Sequence, residues 1–163
     1  MSGSGILADA TAIVLDAAGR DPWLPGLRIA GIGWATVELE RAAAELDEVF
    51  RRAACQAPRW APGPRDDLLG ATAWVSLEPW REHERERAPA VVLLEPDTEG
   101  RLAATLARFG EGVGAVYLRR STEPSATVID PARLGRPATG PLGPGRLVLA
   151  RPAWGPNVVV LDR

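Results

Sequence analysis

A chain of 163 residues, 46% apolar and 25% charged, suits one compact domain or two small modules sharing a core, and is too apolar to be disordered. The formal charge is -2 and acids are interspersed with bases, so no cationic stripe offers itself to a phosphate backbone, which excludes nucleic acid as the expected partner. No run reaches the roughly 18 apolar residues of a membrane span, a lone cysteine permits no intrachain disulfide, and "MSGSG" lacks the basic-then-apolar order of a signal peptide. A soluble, cytoplasmic protein without a membrane partner is the expectation.

In chain order, "ILADATAIVL" can end in a short strand at Ala12–Leu15, and Ala17–Gly26 reads as a Pro/Gly connection carrying Trp23. "LRIAGIGWA" is apolar and glycine-spaced, the pattern of a buried strand with close backbone approaches. From about Val37 the period changes. Leu39, Ala42, Ala43, Leu46, Val49, Phe50 and Ala53 form one stripe, with acids and arginines opposite, which predicts a helix covering a sheet. Cys55 follows it and reads as a small hydrophobe. "QAPRWAPGPRDDLLG" reads as a loop because three prolines interrupt it. "ATAWVSL" alternates as a strand, and "AVVLLE" follows as another after a polar, proline-bounded segment. In "LLEPDTEGRLAATLARFGEG", Pro96 ends the strand and Asp97 or Thr98 can cap a short crossover helix. Leu102, Leu106 and Phe109 mark the buried face of that helix, and Gly110 ends it. "VGAVYLR" is the next strand, without the long helix that follows the first one. A strand fragment at Ala126–Ile129, a turn of helix near Ala132–Leu134, and two final strands in "GRLVLAR" and "NVVVLDR" complete the chain.

The succession "GIGWATVELERAAAEL", "VVLLEP", short helix, "GEGVGAVYL" resembles the vicinal oxygen chelate superfamily, the glyoxalases, methylmalonyl-CoA epimerases, extradiol dioxygenases and bleomycin-type resistance proteins, over about Arg28 to Arg163. The resemblance implies an α+β fold of paired βαβββ modules forming a cupped mixed sheet. Residues 1–26 would be a tail with room for an extra strand, 27–112 the first module with its crossover helix, and 113–163 a reduced second module. One small strand in each module escapes the reading above. Family enzymes usually hold a divalent metal on four inward side chains. Here those positions fall on Gly31, on Ala115, near Val160 (or Val159 after a slip of register), and on Thr72 or Trp74. Glycine, alanine and valine have no donor atom, so no metal and no other cofactor is expected. His83, the single histidine, sits in the charged run "REHERER" and reads as solvated.

If Gly31 faces inward, parity sends Gly33 and Ala35 there too, and an inward Ala115 brings Tyr117 and Arg119. Thr72, Trp74 and Ser76 form the polar-aromatic side of their strand. Thr72, Trp74, Tyr117 and Arg119 are the candidate ligand-binding residues, aromatic walls and a cation around a floor of small residues. Core filling by Trp74 and Tyr117, and a surface place for Arg119, stand beside that reading. Trp34 has the opposite parity and is expected beneath the first helix, while Trp154 reads as a lid, a dimer contact or a hairpin tip. No catalytic residue is assigned. Glu95 and Glu111 are candidate bases without a relay partner, and adjacent Asp66 and Asp67 point apart. The leading expectation is metal-independent binding of a small aromatic or polycyclic metabolite, with antibiotic resistance or secondary-metabolite handling as the setting and a homodimer permitted. The alternative is a metal-independent isomerase, lyase or cyclase acting on a small carbonyl-containing substrate, and a structural or interaction module comes third.

Overall fold

The computed structural model describes residues 27–52, 58–77, 89–120, 129–149 and 156–162. The expected N-terminal strand, Trp23, Cys55, His83, Trp154 and the strand fragment before Ile129 lie outside them. Along the chain come β1 (Leu27–Ala35), α1 (Leu39–Arg52), β2 (Arg59–Pro62), β3 (Ala71–Leu77), β4 (Ala90–Pro96), α2 (Arg101–Phe109), β5 (Gly112–Arg120), β6 (Leu134–Gly140), β7 (Gly143–Val148) and β8 (Asn157–Leu161). A 3-10 turn, Pro131–Arg133, precedes β6.

All eight strands join one mixed sheet in the order β2-β3-β4-β1-β5-β8-β7-β6. β1 and β5 pair antiparallel at its centre. Outward from them the halves repeat each other: β4 lies parallel to β1 and β8 parallel to β5, and the next two strands on each side are antiparallel. This curled sheet with two helices is a glyoxalase-like α+β half-barrel. Its far ends meet, where the Asp67 N–H donates to the Thr139 carbonyl at 3.0 Å. The sheet thereby gains an inner face lined by Ala73, Leu94, Ala115, Tyr117, Val159 and Leu161. α1 covers the outer face of the first half, burying Leu39, Ala42, Ala43 and Leu46.

Two strands that complete the pattern, β2 and β6, read as irregular in the sequence because they carry Pro62 and Pro137. Both are edge strands. A proline there leaves no ladder donor missing, so the rule that excludes it from a central strand does not apply. The end of α1 and the whole of β8 fall where the pattern places them. α2 departs in detail. Gly100 stands at its N-cap without a side-chain cap, and Asp97 is held instead by the Arg65 guanidinium. Its buried face is rotated toward Leu102 and Thr105, leaving Phe109 exposed under the Arg108 guanidinium, 5.1 Å from the ring centroid. Thr105 can be buried because its hydroxyl donates to the Arg101 carbonyl and accepts from Asn157 Nδ2.

Candidate functional site

The inner face is built by the parity read from β1 and β5. Gly31 lies opposite Tyr117 and Gly33 opposite Ala115 in the central ladder, and Val159 of β8 lies beside Tyr117. The room left by the glycines is not empty. A Cβ on Gly33 would stand 2.7 Å from Leu94 Cδ1 and 2.9 Å from Ala115 Cβ. One on Gly31 would strike Leu142 Cδ1, from the turn between β6 and β7. Glycine at these two positions lets neighbouring side chains close over the backbone.

At the centre lies a polar pair that sequence reasoning missed. Tyr117 is fully buried, and its hydroxyl donates to Asp66 Oδ2 at 2.6 Å. Asp66 Oδ1 accepts the Leu68 and Leu69 N–H groups, each at 3.0 Å, and Gly70 closes that turn at φ 67°. Burial pushes the Asp66 carboxyl up from its ordinary value, opposed by the Tyr117 hydroxyl and the two amides. Burial, with the neighbouring Asp66 charge, pushes the Tyr117 phenol well above its ordinary value. The turn itself is legible in "DDLLG", an aspartate followed by amides and a glycine. Its partner is not legible, because Tyr117 is remote in sequence. Asp67, the other aspartate, is exposed beside Arg65.

Thr72 and Trp74 require correction as cavity residues. On β3 the residues facing Tyr117 are Ala71, Ala73 and Val75, so the alternating set Thr72, Trp74 and Ser76 points to the other face. Thr72 is exposed, Trp74 packs with Trp34 and Trp60 beneath α1, and Ser76 Oγ accepts the Val91 N–H at 3.0 Å. Trp60 adds a bond from Nε1 to Asp47 Oδ1 at 2.9 Å. Three of the six tryptophans are thus core of the first half, with Trp34 where its parity puts it. Of the four candidates, Tyr117 and Arg119 share the inner face. Tyr117 is sealed, whereas Arg119 is only half-buried at the end of β5, paired in register with Arg28 of β1. Its Nε is buried and, among the described residues, has no hydrogen-bond acceptor.

The candidate bases are occupied. Glu111 Oε1 accepts from the Val37 N–H at 2.8 Å, the Thr36 hydroxyl at 2.7 Å and Arg41 Nη2 at 2.5 Å. These contacts, the Val37 N–H foremost, hold its carboxyl down at about 2. Glu95 Oε2 accepts the Leu39 N–H at the start of α1, 3.3 Å away. Both carboxylates brace the first turn of α1 and neither faces the inner centre.

The divalent metal of the superfamily does not fit these residues. Gly31, Ala115, Val159 and Ala73 stand at the centre of the inner face without a donor atom among them. Among the described residues, the two oxygen-bearing side chains there, Asp66 and Tyr117, are bonded to each other, Asp66 also accepts two backbone amides, and Leu142 packs against Gly31. Among the described residues no three His, Cys, Asp or Glu side chains converge on a point.

No protein-family model and no curated protein matches the sequence. Solved structures do match. Methylmalonyl-CoA epimerase from Streptomyces coelicolor, in complex with 2-nitronate-propionyl-CoA, is 19% identical with a TM-score of 0.55, covering 83% of this chain and 98% of that one. The Mycobacterium tuberculosis methylmalonyl-CoA epimerase is 16% identical with a TM-score of 0.58, over 83% and 88% of the two chains. A hypothetical protein from Bacillus halodurans is 15% identical with a TM-score of 0.54, over 82% and 92%. The fold is therefore the glyoxalase-like fold of these epimerases, carried by a divergent sequence.

Proposed function

We propose that this protein binds a small molecule without a metal ion and without chemistry on it, gripping an anionic group of the ligand at the Arg119 end of the inner face. One observation carries the reading. Arg119 presents a buried Nε with no acceptor among the described residues, opposite a second arginine, Arg28, in the central ladder. A buried donor left without an acceptor costs about 1–3 kcal/mol. A carboxylate or phosphate at this position supplies that acceptor, since a guanidinium forks onto two oxygens.

The ligand of this reading lies at the rim of the inner face, because Tyr117, Leu142 and Leu94 pack against the two central glycines, Gly31 and Gly33. Aromatic walls are no longer part of it: Trp74 is under α1 and Tyr117 is sealed. Binding is favoured over isomerase, lyase or cyclase chemistry because Glu95, Glu111 and Asp66 are each held by backbone or side-chain donors, leaving none of the three free to act as a base. The epimerase complexes with CoA esters supply a precedent for small-molecule binding on this fold. Among the described residues no helix is long and apolar enough to cross a membrane.

Thermal shift against a panel of carboxylates, phosphate esters and acyl-CoA esters tests the reading. At least one anion should raise the melting temperature saturably, and Arg119→Ala should abolish the rise while keeping the fold. A panel without effect, or an unchanged response in Arg119→Ala, refutes the anion site. Added Mg, Mn, Co or Zn ions should leave the melting temperature unmoved, and a saturable rise would refute the metal-free claim.

A further inference from the structure

The two halves of the sheet differ in what joins their first strand to their edge strand. In the first half that connection holds the fourteen residues of α1, and in the second its described regular element is the three-residue turn Pro131–Arg133. On the outer face of the second half, among the described residues, a half-open cavity of about 340 Å3 lies between that turn and the sheet. Ile129, Leu134 and Val160 supply its apolar wall, and Arg120, Arg146 and Asp162 its polar end. Arg120 and Arg119 are successive residues of β5 and so point to opposite faces, which makes this cavity separate from the inner-face site.

The charges at the polar end do not cancel. Asp162 Oδ1 stands 3.6 Å from Arg146 Nε, which accounts for one guanidinium. Among the described residues no hydrogen bond or ion pair engages the other, Arg120. The net surplus is one positive charge, facing an apolar wall in a space at the small end of ligand pockets. We infer that this cavity is a second binding site, selective for a small monocarboxylate with a compact aryl or branched alkyl body. The carboxylate meets Arg120, and the body lies on Ile129, Leu134 and Val160. A second charge on the ligand would meet Asp162, so dicarboxylates are disfavoured.

Amide NMR of the full chain, titrated with 4-phenylbutyrate, tests the inference. Saturable shifts should cluster at Leu134, Val160, Leu161 and Asp162. Arg120→Gln should weaken binding tenfold or more, whereas Arg119→Ala should leave it within twofold. The neutral isostere 4-phenylbutyramide should bind at least tenfold more weakly than the acid. Leu134→Trp, which fills the cavity with no change of charge, should abolish the shifts while leaving the dispersion of the spectrum intact. Shifts gathered at Gly31 and Arg119 instead would place the acid on the inner face and overturn the second site. So would the absence of saturation, equal binding of the amide, or indifference to both Arg120→Gln and Leu134→Trp.

Discussion

Beneath α1, Trp34, Trp60 and Trp74 lie against Leu39, Ala42, Ala43 and Leu46, and the outer face of the first half is closed. Across the central β1/β5 pair, the same face of the second half carries Val116, Leu118, Val158 and Val160, and among the described residues the regular element over it is the turn Pro131–Arg133, beside which a cavity remains. One strand topology thus supports two different finishes. Where a connection is long and amphipathic it becomes a helix and the face is core; where its apolar content is thin, part of the face stays open. The inner face is filled from both halves, by Ala115, Tyr117 and Val159 from one and by Ala73, Val92 and Leu94 from the other. Among the described residues, the outer face of the second half keeps a cavity where that of the first half is covered by α1.

The largest effect should come from the closed face. Trp74→Ala removes a large ring from beneath α1 and should cost about 3 kcal/mol in urea unfolding. Leu134→Ala, at the open cavity, should cost about 1 kcal/mol, since part of its surface already meets water. Equal losses would erase the distinction between the two faces. Next comes the centre. Tyr117→Phe keeps the ring but leaves Asp66 Oδ2 buried without its donor, a loss of about 1–3 kcal/mol. No loss would mean that the pair is not closed as described.

The pH dependence sharpens the contrast between a buried and a half-exposed polar cluster. The Glu111 carboxyl is depressed in the folded chain from 4.5 to about 2, so its contribution is present above 4.5 and disappears as pH falls to about 2. Glu111→Gln should flatten acid unfolding over that window. The Tyr117 phenol is raised, so the folded state keeps a proton that the unfolded chain gives up, and stability should fall as pH rises above 10.0. Tyr117→Phe should remove that alkaline slope, and an unchanged slope would assign it elsewhere. The smallest effect is expected at the rim. Arg119→Ala should change stability by no more than about 0.5 kcal/mol, because the relief of an unpaired buried donor is offset by the lost packing of the half-buried arginine stem. A large destabilisation would make Arg119 a structural residue.

Much of the fold was legible because it rests on periodicity. The glycine-spaced run Leu27–Ala35, the stripe of α1, and "VVLL" and "VVVL" as doubly buried strands are properties of short windows. The inward parity of Gly31, Gly33, Ala35, Ala115 and Tyr117 was legible for the same reason. What stayed hidden depends on neighbours remote in sequence. Nothing near Thr72 or Trp74 tells which side of β3 faces α1, because Ala71, Ala73 and Val75 are equally able to be core. Leu142 and Asp66 reach the space beside Gly31 and Tyr117 through turns whose tertiary placement no local pattern encodes. Proline masked the edge strands β2 and β6, since its penalty depends on whether a partner lies on the far side.

The contact between Asp67 and Thr139 bears on how copies of the chain can meet. An open ribbon recruits another molecule by offering it a row of unmet N–H and carbonyl groups. Here one outermost ribbon is only four residues long, both are interrupted by a ring that cannot donate, and the regions beside them are clasped together. Fibre-like growth by lateral addition is thereby discouraged, and self-association has to proceed by packing surface against surface.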